Sequence, residues 1–355
     1  MTGRRQPLLG ITATVLVIVV SLGFIALFDW PTFRDWVSFF LICTIPFAFV
    51  AGPFWKGEHP RVLRALPQPW QGLALLALAL VVGAVVAVVL VATVGRGRTP
   101  PSPMVAQCAI ISVPITFFLV VVWGGRPFTR LGNPILGGAA LLVVAYLVTA
   151  AVFRLFRYDF LTGTPVYSAA QDPKGPFEAW TALVFVVTCM AAGLLVAQLE
   201  LWPISLRGGL MRQPVLGLCW TALAVAVSAV ATYLGIHVVG LAPPQFLATV
   251  TVPFLFGSIV VLNMLESSLF ARWRQPGRGL AAAVVAAVVG TVLARGYLAL
   301  SGVVTGDVPT GPPRFDGEVW LASALLGVTF PFLAYHADLF GLWPLRPAAQ
   351  HAPVG

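Results

Sequence analysis

Apolar runs of about twenty residues dominate the chain, and short polar stretches separate them. Each run carries few charges and is long enough to cross a hydrocarbon layer of about 30 Å. Ten runs are seen, at approximately 8–28, 36–55, 71–94, 104–124, 134–154, 177–198, 215–237, 245–265, 279–301 and 318–340. They lack the apolar–polar alternation of membrane β-barrel strands. The pattern predicts an all-α polytopic membrane protein with about ten transmembrane helices.

A short motif, [Gln/Asn]-Pro-x-x-Gly, opens every odd-numbered run. Proline suits the first position of a helix, the preceding side chain can cap it, and the glycine allows close approach of a neighbouring helix. The copies begin at Gln6, Gln68, Asn133, Gln213 and Gln275, with spacings of 62, 65, 80 and 62 residues. Regular spacing of this kind indicates a repeated unit. We therefore predict five parallel two-helix repeats, at approximately 6–60, 68–128, 133–205, 213–273 and 275–345.

A larger similarity groups four of these hairpins into two pairs. Segment 68–203 resembles segment 213–344, and Trp202-Pro203 matches Trp343-Pro344 at an offset of 141 residues. The similarity predicts a duplicated four-helix module that follows an extra hairpin.

We expect one transmembrane domain over residues 1–345 and a cytoplasmic tail over 346–355. Two longer connections, 155–176 and 302–317, are rich in glycine and proline. They are interpreted as turns on the outer side, acting either as connectors or as lids.

Charge changes this picture by giving the helices an orientation. Charged residues are only 9% of the chain, whereas a soluble domain has about 25%. This composition excludes a chain made of soluble domains. If Arg4 and Arg5 lie inside, the inner segments hold 13 of the 21 Lys and Arg residues, as the positive-inside rule requires. We predict a multi-pass protein of the cell membrane with both termini cytoplasmic (N-in/C-in). The net charge of +9 is then an orientation signal, and no nucleic acid partner is expected.

Four even-numbered runs carry [Ser/Thr]-x-Pro-[Phe/Ile] near their middle. A proline inside a helix removes one backbone hydrogen bond and kinks the helix, and a nearby hydroxyl can bind the freed carbonyl. The predicted kinks are at Pro46, Pro114, Pro253 and Pro331.

Three acidic residues stand at the inner ends of even-numbered runs: Glu200, Glu266 and Asp338. A helix C-terminus is unfavourable for a carboxylate because the helix dipole is already negative there. One interpretation pairs each acid with a nearby arginine, and these are Arg207, Arg272 and Arg346. The other makes the acids a cluster that binds a cation, a proton or a polar substrate group.

His336 is a fourth pathway candidate, and it precedes Asp338 by two residues. Two residues turn an α-helix by about 200°, so the two side chains face different sides and cannot hold one metal together.

Sequence motifs for common membrane or soluble enzymes are absent. The chain has no P-loop, no His-Glu-x-x-His and no Gly-x-Ser-x-Gly, and its four cysteines form no Cys-x-x-Cys. We predict no catalytic residue, metal or cofactor, and the expected partners are the lipid bilayer and a small-molecule or ion ligand. The sequence favours a transporter or permease. An integral-membrane enzyme for a lipidic or small apolar substrate and a non-catalytic subunit of a larger complex are the alternatives.

Overall fold

The computed structural model describes residues 6–56 and 59–346, and ten helices in these ranges are long and apolar enough to span a membrane. They are α1 Leu8–Ile25, α2 Trp30–Phe54, α3 Trp70–Thr93, α4 Pro103–Val122, α5 Pro134–Phe153, α6 Ala179–Gln198, α7 Val215–Val238, α8 Pro243–Met264, α9 Gly277–Val304 and α10 Asp316–Leu339. The prediction of a multi-pass α-helical membrane protein is confirmed. Arg4, Arg5 and the predicted tail beyond Arg346 lie outside the described residues.

Two concentric layers of helices form the molecule. The even-numbered helices have 67% to 72% of their spanning residues buried, whereas the odd-numbered helices have only 22% to 39% buried. The even helices contact one another in the closed order α2–α4–α6–α8–α10, and α10 returns to α2. Each odd helix packs against the outer surface of the two even helices that precede it in this ring order. For example, α5 packs on α4 and α2, and α1 packs on α10 and α8.

Small residues on the inner faces of the odd helices let the two layers approach closely. In α9, a Cβ atom added at Gly290 would lie 1.8 Å from the Pro253 carbonyl oxygen of α8. On the α8 side, a Cβ added at Gly257 would lie 1.9 Å from the Ala286 carbonyl oxygen. Helix association in membranes relies on this kind of backbone contact because lipid gives little hydrophobic driving force. The large apolar residues of the odd helices, such as Val284 and Val288, are exposed towards lipid.

The Gln-Pro motifs join the two layers at one end of the bundle. In four motifs the glutamine Oε1 accepts a hydrogen bond from the glycine N–H four residues later, and its Nε2 donates to the carbonyl that ends an even helix. These interhelix bonds are Gln6 to Met264 (3.1 Å), Gln68 to Leu339 (2.9 Å), Gln213 to Val122 (2.9 Å) and Gln275 to Gln198 (3.3 Å). We call the end of the bundle that carries these five motifs the corner face, and the opposite end the far face.

The fifth motif uses different atoms. Asn133 Oδ1 accepts from the N–H groups of Ile135 and Leu136 and so caps α5. Its side chain is one methylene shorter than glutamine, and the interhelix bond comes instead from Trp55 Nε1, which donates to the Pro134 carbonyl at 2.9 Å.

The helices continue through the four prolines, with a π-helical turn beside each. Val50–Phe54 follows Pro46, and Phe118–Val122 follows Pro114. In α8 and α10 the π-helical turns, Leu247–Thr251 and Ser323–Thr329, come before the proline instead. The kinks themselves stay a prediction.

The neighbouring hydroxyls behave differently from the prediction. Thr44 donates to the Leu41 carbonyl at 2.5 Å, and Ser112 donates to the Ala109 carbonyl at 2.6 Å. The carbonyls that Pro46 and Pro114 leave without an α-helical donor belong to Ile42 and Ile110, four residues before each proline. The hydroxyls therefore bind the carbonyls one residue earlier.

The far face is covered by an ordered connection between α5 and α6. Its two-residue strands, β1 Phe156–Arg157 and β2 Phe177–Glu178, pair in parallel. Gln171 Nε2 donates to the Gly95 carbonyl at 2.7 Å, and Ser102 donates to Gln171 Oε1 at 3.0 Å. The connection is therefore bound to the neighbouring connection between α3 and α4.

Candidate functional site between the even helices

A polar cavity of about 310 Å³ lies at the corner face between α2, α8 and α10. We call it the corner cavity. Its lining residues are Pro53, Asn263, Glu266, Ala337, Asp338, Gly341, Leu342 and Arg346. Two of the three predicted acids, Glu266 and Asp338, thus face the same space, and Glu200 is not part of it.

The ends of the even helices explain why the three acids are separated. Glu200 and Glu266 both have φ of 49° and are the left-handed residues that terminate α6 and α8. The corresponding residue after α10 is Gly341, with φ of 58°. Asp338 precedes Gly341 by three residues, so it lies about one turn further inside its helix. Asp338 therefore lies deeper in the bundle than Glu200 and Glu266, and its counterpart in α8 is Asn263.

Arginine pairing accounts for two of the acids, with partners other than those expected. Glu200 binds Arg278, in the first turn of α9, at 2.8 Å. Glu266 binds Arg346 at 2.6 Å. The Glu200 and Glu266 side chains are 56% and 44% exposed, and pairs of this kind contribute about 0–1 kcal/mol to stability. The predicted pairings of Glu200 with Arg207, of Glu266 with Arg272 and of Asp338 with Arg346 are not formed.

Asp338 is the acid without a partner. Within the described residues, no hydrogen bond or ion pair reaches its carboxylate. Its side chain lies against Gly52 of α2, where an added Cβ would be only 2.7 Å from Asp338 Oδ2. Glycine at this position therefore makes the room that the carboxylate occupies. A carboxylate near a helix C-terminus and inside a membrane span is costly, which makes Asp338 the strongest candidate for a functional group.

Three phenylalanines from different even helices are joined by ring contacts deeper in the bundle than the corner cavity. Phe49 of α2 contacts Phe117 of α4 with ring centroids 6.2 Å apart, and contacts Phe330 of α10 at 6.3 Å. Phe49 is one helical turn from Pro53, and Phe330 is about two turns from Asp338. The rings therefore lie about 6–12 Å deeper than the cavity lining. We call this cluster the phenylalanine plug.

His336 faces a different space from Asp338. It lines an apolar groove of about 1080 Å³ between α1 and α3, with α2 and α10 forming the floor. The groove is bounded by side chains such as Val20, Leu80 and Phe332. The His336 Nε2 atom is buried and has no hydrogen-bond partner among the described residues. His336 and Asp338 thus lie on opposite walls of α10, as their spacing of two residues implies.

Metal binding finds no support in the side-chain clusters. Among the described residues, no group of three or more His, Cys, Asp or Glu side chains is placed to hold an ion. The four cysteines are free, and three of them are buried in the helix bundle.

Comparisons with family models, with curated proteins and with solved structures find no match to this chain.

Proposed function

We propose that the protein is a membrane transporter or permease for a small cation, and that the corner cavity is one mouth of its pathway. The observation that carries this proposal is the unpaired Asp338 carboxylate in the corner cavity. Glu266 and Arg346 neutralise each other, so the cavity keeps one net negative charge from Asp338 when that group is ionised. The Asn263 side chain adds an amide oxygen of the kind that coordinates cations.

The pathway continues from the corner cavity between the even helices. We infer that the phenylalanine plug closes this pathway between the corner cavity and the far face. Movement of the plug requires α2, α4 or α10 to shift. Each of these helices has a π-helical turn next to its proline, where the backbone hydrogen bonding is irregular. Such positions are suited to the hinge motions that alternate access requires.

The surrounding scaffold belongs to the same proposal. We infer five parallel hairpins with both termini in the cytoplasm, so that the corner face is cytoplasmic and the membrane is the cell membrane. Transporters are often built from parallel repeats related by an axis along the membrane normal. In this arrangement the odd helices and their glutamine hydrogen bonds form the fixed outer layer, and the even helices carry the pathway.

Flux measurements in proteoliposomes test the proposal. We would measure uptake of sodium and of choline, and proton flux with an enclosed pH dye, for the wild type, for Asp338→Asn and for Glu200→Gln. We expect wild-type flux of at least one cation, and a loss of about tenfold or more for Asp338→Asn because the cavity loses its charge. Glu200→Gln is the matched control, since its carboxylate lies outside the cavity, and we expect flux within about twofold of wild type.

Two outcomes would contradict the proposal, the first its transport function and the second the role of the corner cavity. One is the absence of flux for every cation in the wild type together with conversion of a lipid by the purified protein, which would favour the enzyme alternative. The other is wild-type flux that Asp338→Asn leaves unchanged, which would remove the cavity from the pathway.

A further inference from the structure

The two ion pairs at the corner face hold their arginines to different degrees. Arg278 donates to two acceptors, Glu200 Oε1 at 2.8 Å and the Ser267 carbonyl at 2.8 Å. Among the described residues, the Arg346 side chain donates to Glu266 alone, at 2.6 Å. The Arg278 side chain is 25% exposed, whereas that of Arg346 is 47% exposed. Because an exposed ion pair with one contact contributes little free energy, Arg346 is the arginine that can leave its partner.

A second carboxylate borders the same space as Arg346. Both Arg346 and the unpaired Asp338 line the corner cavity. The backbone after α10 turns back towards this helix, because the Leu342 N–H donates to the His336 carbonyl at 2.9 Å. The Arg346 N–H in turn donates to the Leu342 carbonyl at 3.0 Å. Two backbone hydrogen bonds therefore connect Arg346 to the helical turn that carries Asp338.

The backbone at Glu266 gives a separate reason to assign its side chain a role. Glu266 has φ of 49°, a left-handed conformation in which glycine is unstrained. The equivalent residues at the ends of α4 and α10 are glycines, Gly124 with φ of 62° and Gly341 with φ of 58°. Within the described part of the chain, the contact with Arg346 is the one hydrogen bond or ion pair that the Glu266 side chain makes. Holding Arg346 is thus the interaction that offsets the strain.

We propose that Glu266 is a positioning residue that keeps Arg346 away from Asp338, and that a released Arg346 competes with the transported cation for Asp338. Rotation about the side-chain torsions of Arg346 moves its guanidinium between the two carboxylates. A group tethered this closely has an effective concentration in the millimolar range, so it competes with a dissolved cation. The apparent affinity for the cation falls by the fraction of Asp338 that stays free. This inference rests on the transport function proposed above.

Carbodiimide labelling of Asp338 tests the exchange without any transport. Dicyclohexylcarbodiimide modifies protonated carboxyl groups in apolar surroundings, and a paired arginine keeps a carboxylate ionised. We would measure the rate of Asp338 modification in the purified protein by peptide mass spectrometry. We expect Glu266→Gln to reduce this rate about fivefold or more, because Arg346 then pairs with Asp338. Adding Arg346→Gln to the same chain should restore the rate to within about twofold of wild type.

A double-mutant cycle separates exchange from the general effect of charge on the cavity. If the two charges act independently, Arg346→Gln changes the labelling rate by the same factor with or without Glu266. Exchange predicts a change of less than about twofold in the wild type and an increase of about fivefold in Glu266→Gln. Glu200→Gln and Arg278→Gln, from the ion pair outside the cavity, are the matched controls and should leave the rate unchanged. Equal factors for Arg346→Gln in the two backgrounds would overturn the proposal.

Flux in proteoliposomes connects the exchange to transport. For the cation that the wild type carries, we expect Glu266→Gln to raise KM about fivefold with a change in kcat of less than about twofold, and the added Arg346→Gln to restore KM. Unequal factors in the labelling cycle without flux of any cation would support the exchange and contradict the transport function. Cation flux together with equal factors in the labelling cycle would contradict the exchange alone.

Discussion

At the scale of single residues, the ends of α6 and α8 place ordinary side chains in backbone conformations that favour glycine. Glu200, Leu201, Glu266 and Ser267 all have φ between 49° and 64°. The left-handed conformation costs an L-residue about 1–2 kcal/mol. In α10 the first of these two positions is glycine, Gly341. The strain at α6 and α8 accompanies the two ion pairs, since Glu200 and Glu266 could not be glycine and still bind arginine.

Ser267 offers a test of this strain without loss of an ion pair. It has φ of 51°, so we expect Ser267→Gly to raise the free energy of unfolding by about 1 kcal/mol. The control is Ser205→Gly, at an exposed serine in a 3₁₀ turn, where glycine should lower stability by about 0.5 kcal/mol. Unfolding in mixed micelles by SDS titration measures both. An equal effect of the two variants would contradict the argument.

His59, after the end of α2, gives the stability a dependence on pH. Burial lowers the pKa of the His59 imidazole, and the charge of Arg64 lowers this pKa further. The Nδ1 atom is buried without a hydrogen-bond partner among the described residues, and the ring packs edge-on against Trp55 at 5.9 Å. The folded protein therefore resists protonation of His59.

Stability should fall as the pH falls below about 6.5, because the unfolded chain then binds a proton that folded His59 does not. We expect His59→Gln to make the loss of unfolding free energy between pH 7.5 and pH 5.5 smaller than in the wild type. SDS titration at the two pH values measures this loss. An unchanged loss would show that His59 is not the group responsible.

Local side-chain roles were only partly predictable from the sequence. The acids stood out because charge is rare within the spans, yet their partners could not be read from the nearest arginines. Glu200 binds Arg278, 78 residues away, and Glu266 binds Arg346, 80 residues away. The importance of Gly52 was also hidden, because only the folded structure shows that Asp338 packs on it.

At the scale of helices, the glutamine of each Gln-Pro motif is both a cap and an interhelix contact. Its capping role follows from the local sequence. The interhelix role does not, because the acceptor of Gln68 is 271 residues away. The two roles together fix the beginning of an outer helix to the end of an inner one. These contacts explain why glutamine occupies four of the five motif positions.

The contribution of this contact to stability can be measured by comparing Gln68 with Gln71, which both lie near the beginning of α3. Gln68 makes both bonds, at 2.9 Å to the Leu339 carbonyl and at 3.2 Å from the Gly72 N–H. Gln71 lies three residues later, and its side chain makes no hydrogen bond to the described residues. We expect Gln68→Ala to lower the free energy of unfolding by about 1–3 kcal/mol and Gln71→Ala to lower it by less than about 0.5 kcal/mol. Equal effects in SDS titration would contradict the assigned role of Gln68.

The helices themselves were predictable because their signal is continuous apolar length. The π-helical turns were not, since nothing in the composition separates them from ordinary helix. The phenylalanine plug has a signal in the sequence that the proline motifs alone do not include. Phe49 and Phe117 each follow a proline by three residues, in Pro46-Phe47-Ala48-Phe49 and Pro114-Ile115-Thr116-Phe117. A spacing of three places the ring close to the proline's face of the helix.

At the scale of the whole molecule, the division into an inner and an outer layer follows from the difference between even and odd runs. The odd helices expose valine and leucine to lipid and turn small residues inward. The even helices bury most of their surface. Uniform apolarity hides this difference in a hydropathy plot, so the ring order had to come from the structure. Orientation in the membrane is still inferred from the distribution of Lys and Arg.

Single-cysteine labelling tests this orientation. Ser205→Cys lies at the corner face and Thr162→Cys lies in the connection at the far face, and both positions are exposed. With a membrane-impermeant maleimide on intact cells, we expect label on Thr162→Cys and label on Ser205→Cys only after permeabilisation. The native cysteines all lie within the spans. The reverse labelling pattern would place the termini outside.

The contact between Gln6 and Met264 has a consequence for how the chain is made. These residues are 258 positions apart, so α1 leaves the ribosome long before the end of α8 exists. Until the end of α8 has been synthesised, Gln6 therefore lacks the Met264 carbonyl that it binds in the folded protein. The Leu339 carbonyl that Gln68 binds is synthesised later still, at the end of α10. Ring closure is therefore a late event in biogenesis, and ribosomes that stall before α8 release chains whose first helix has no docking site.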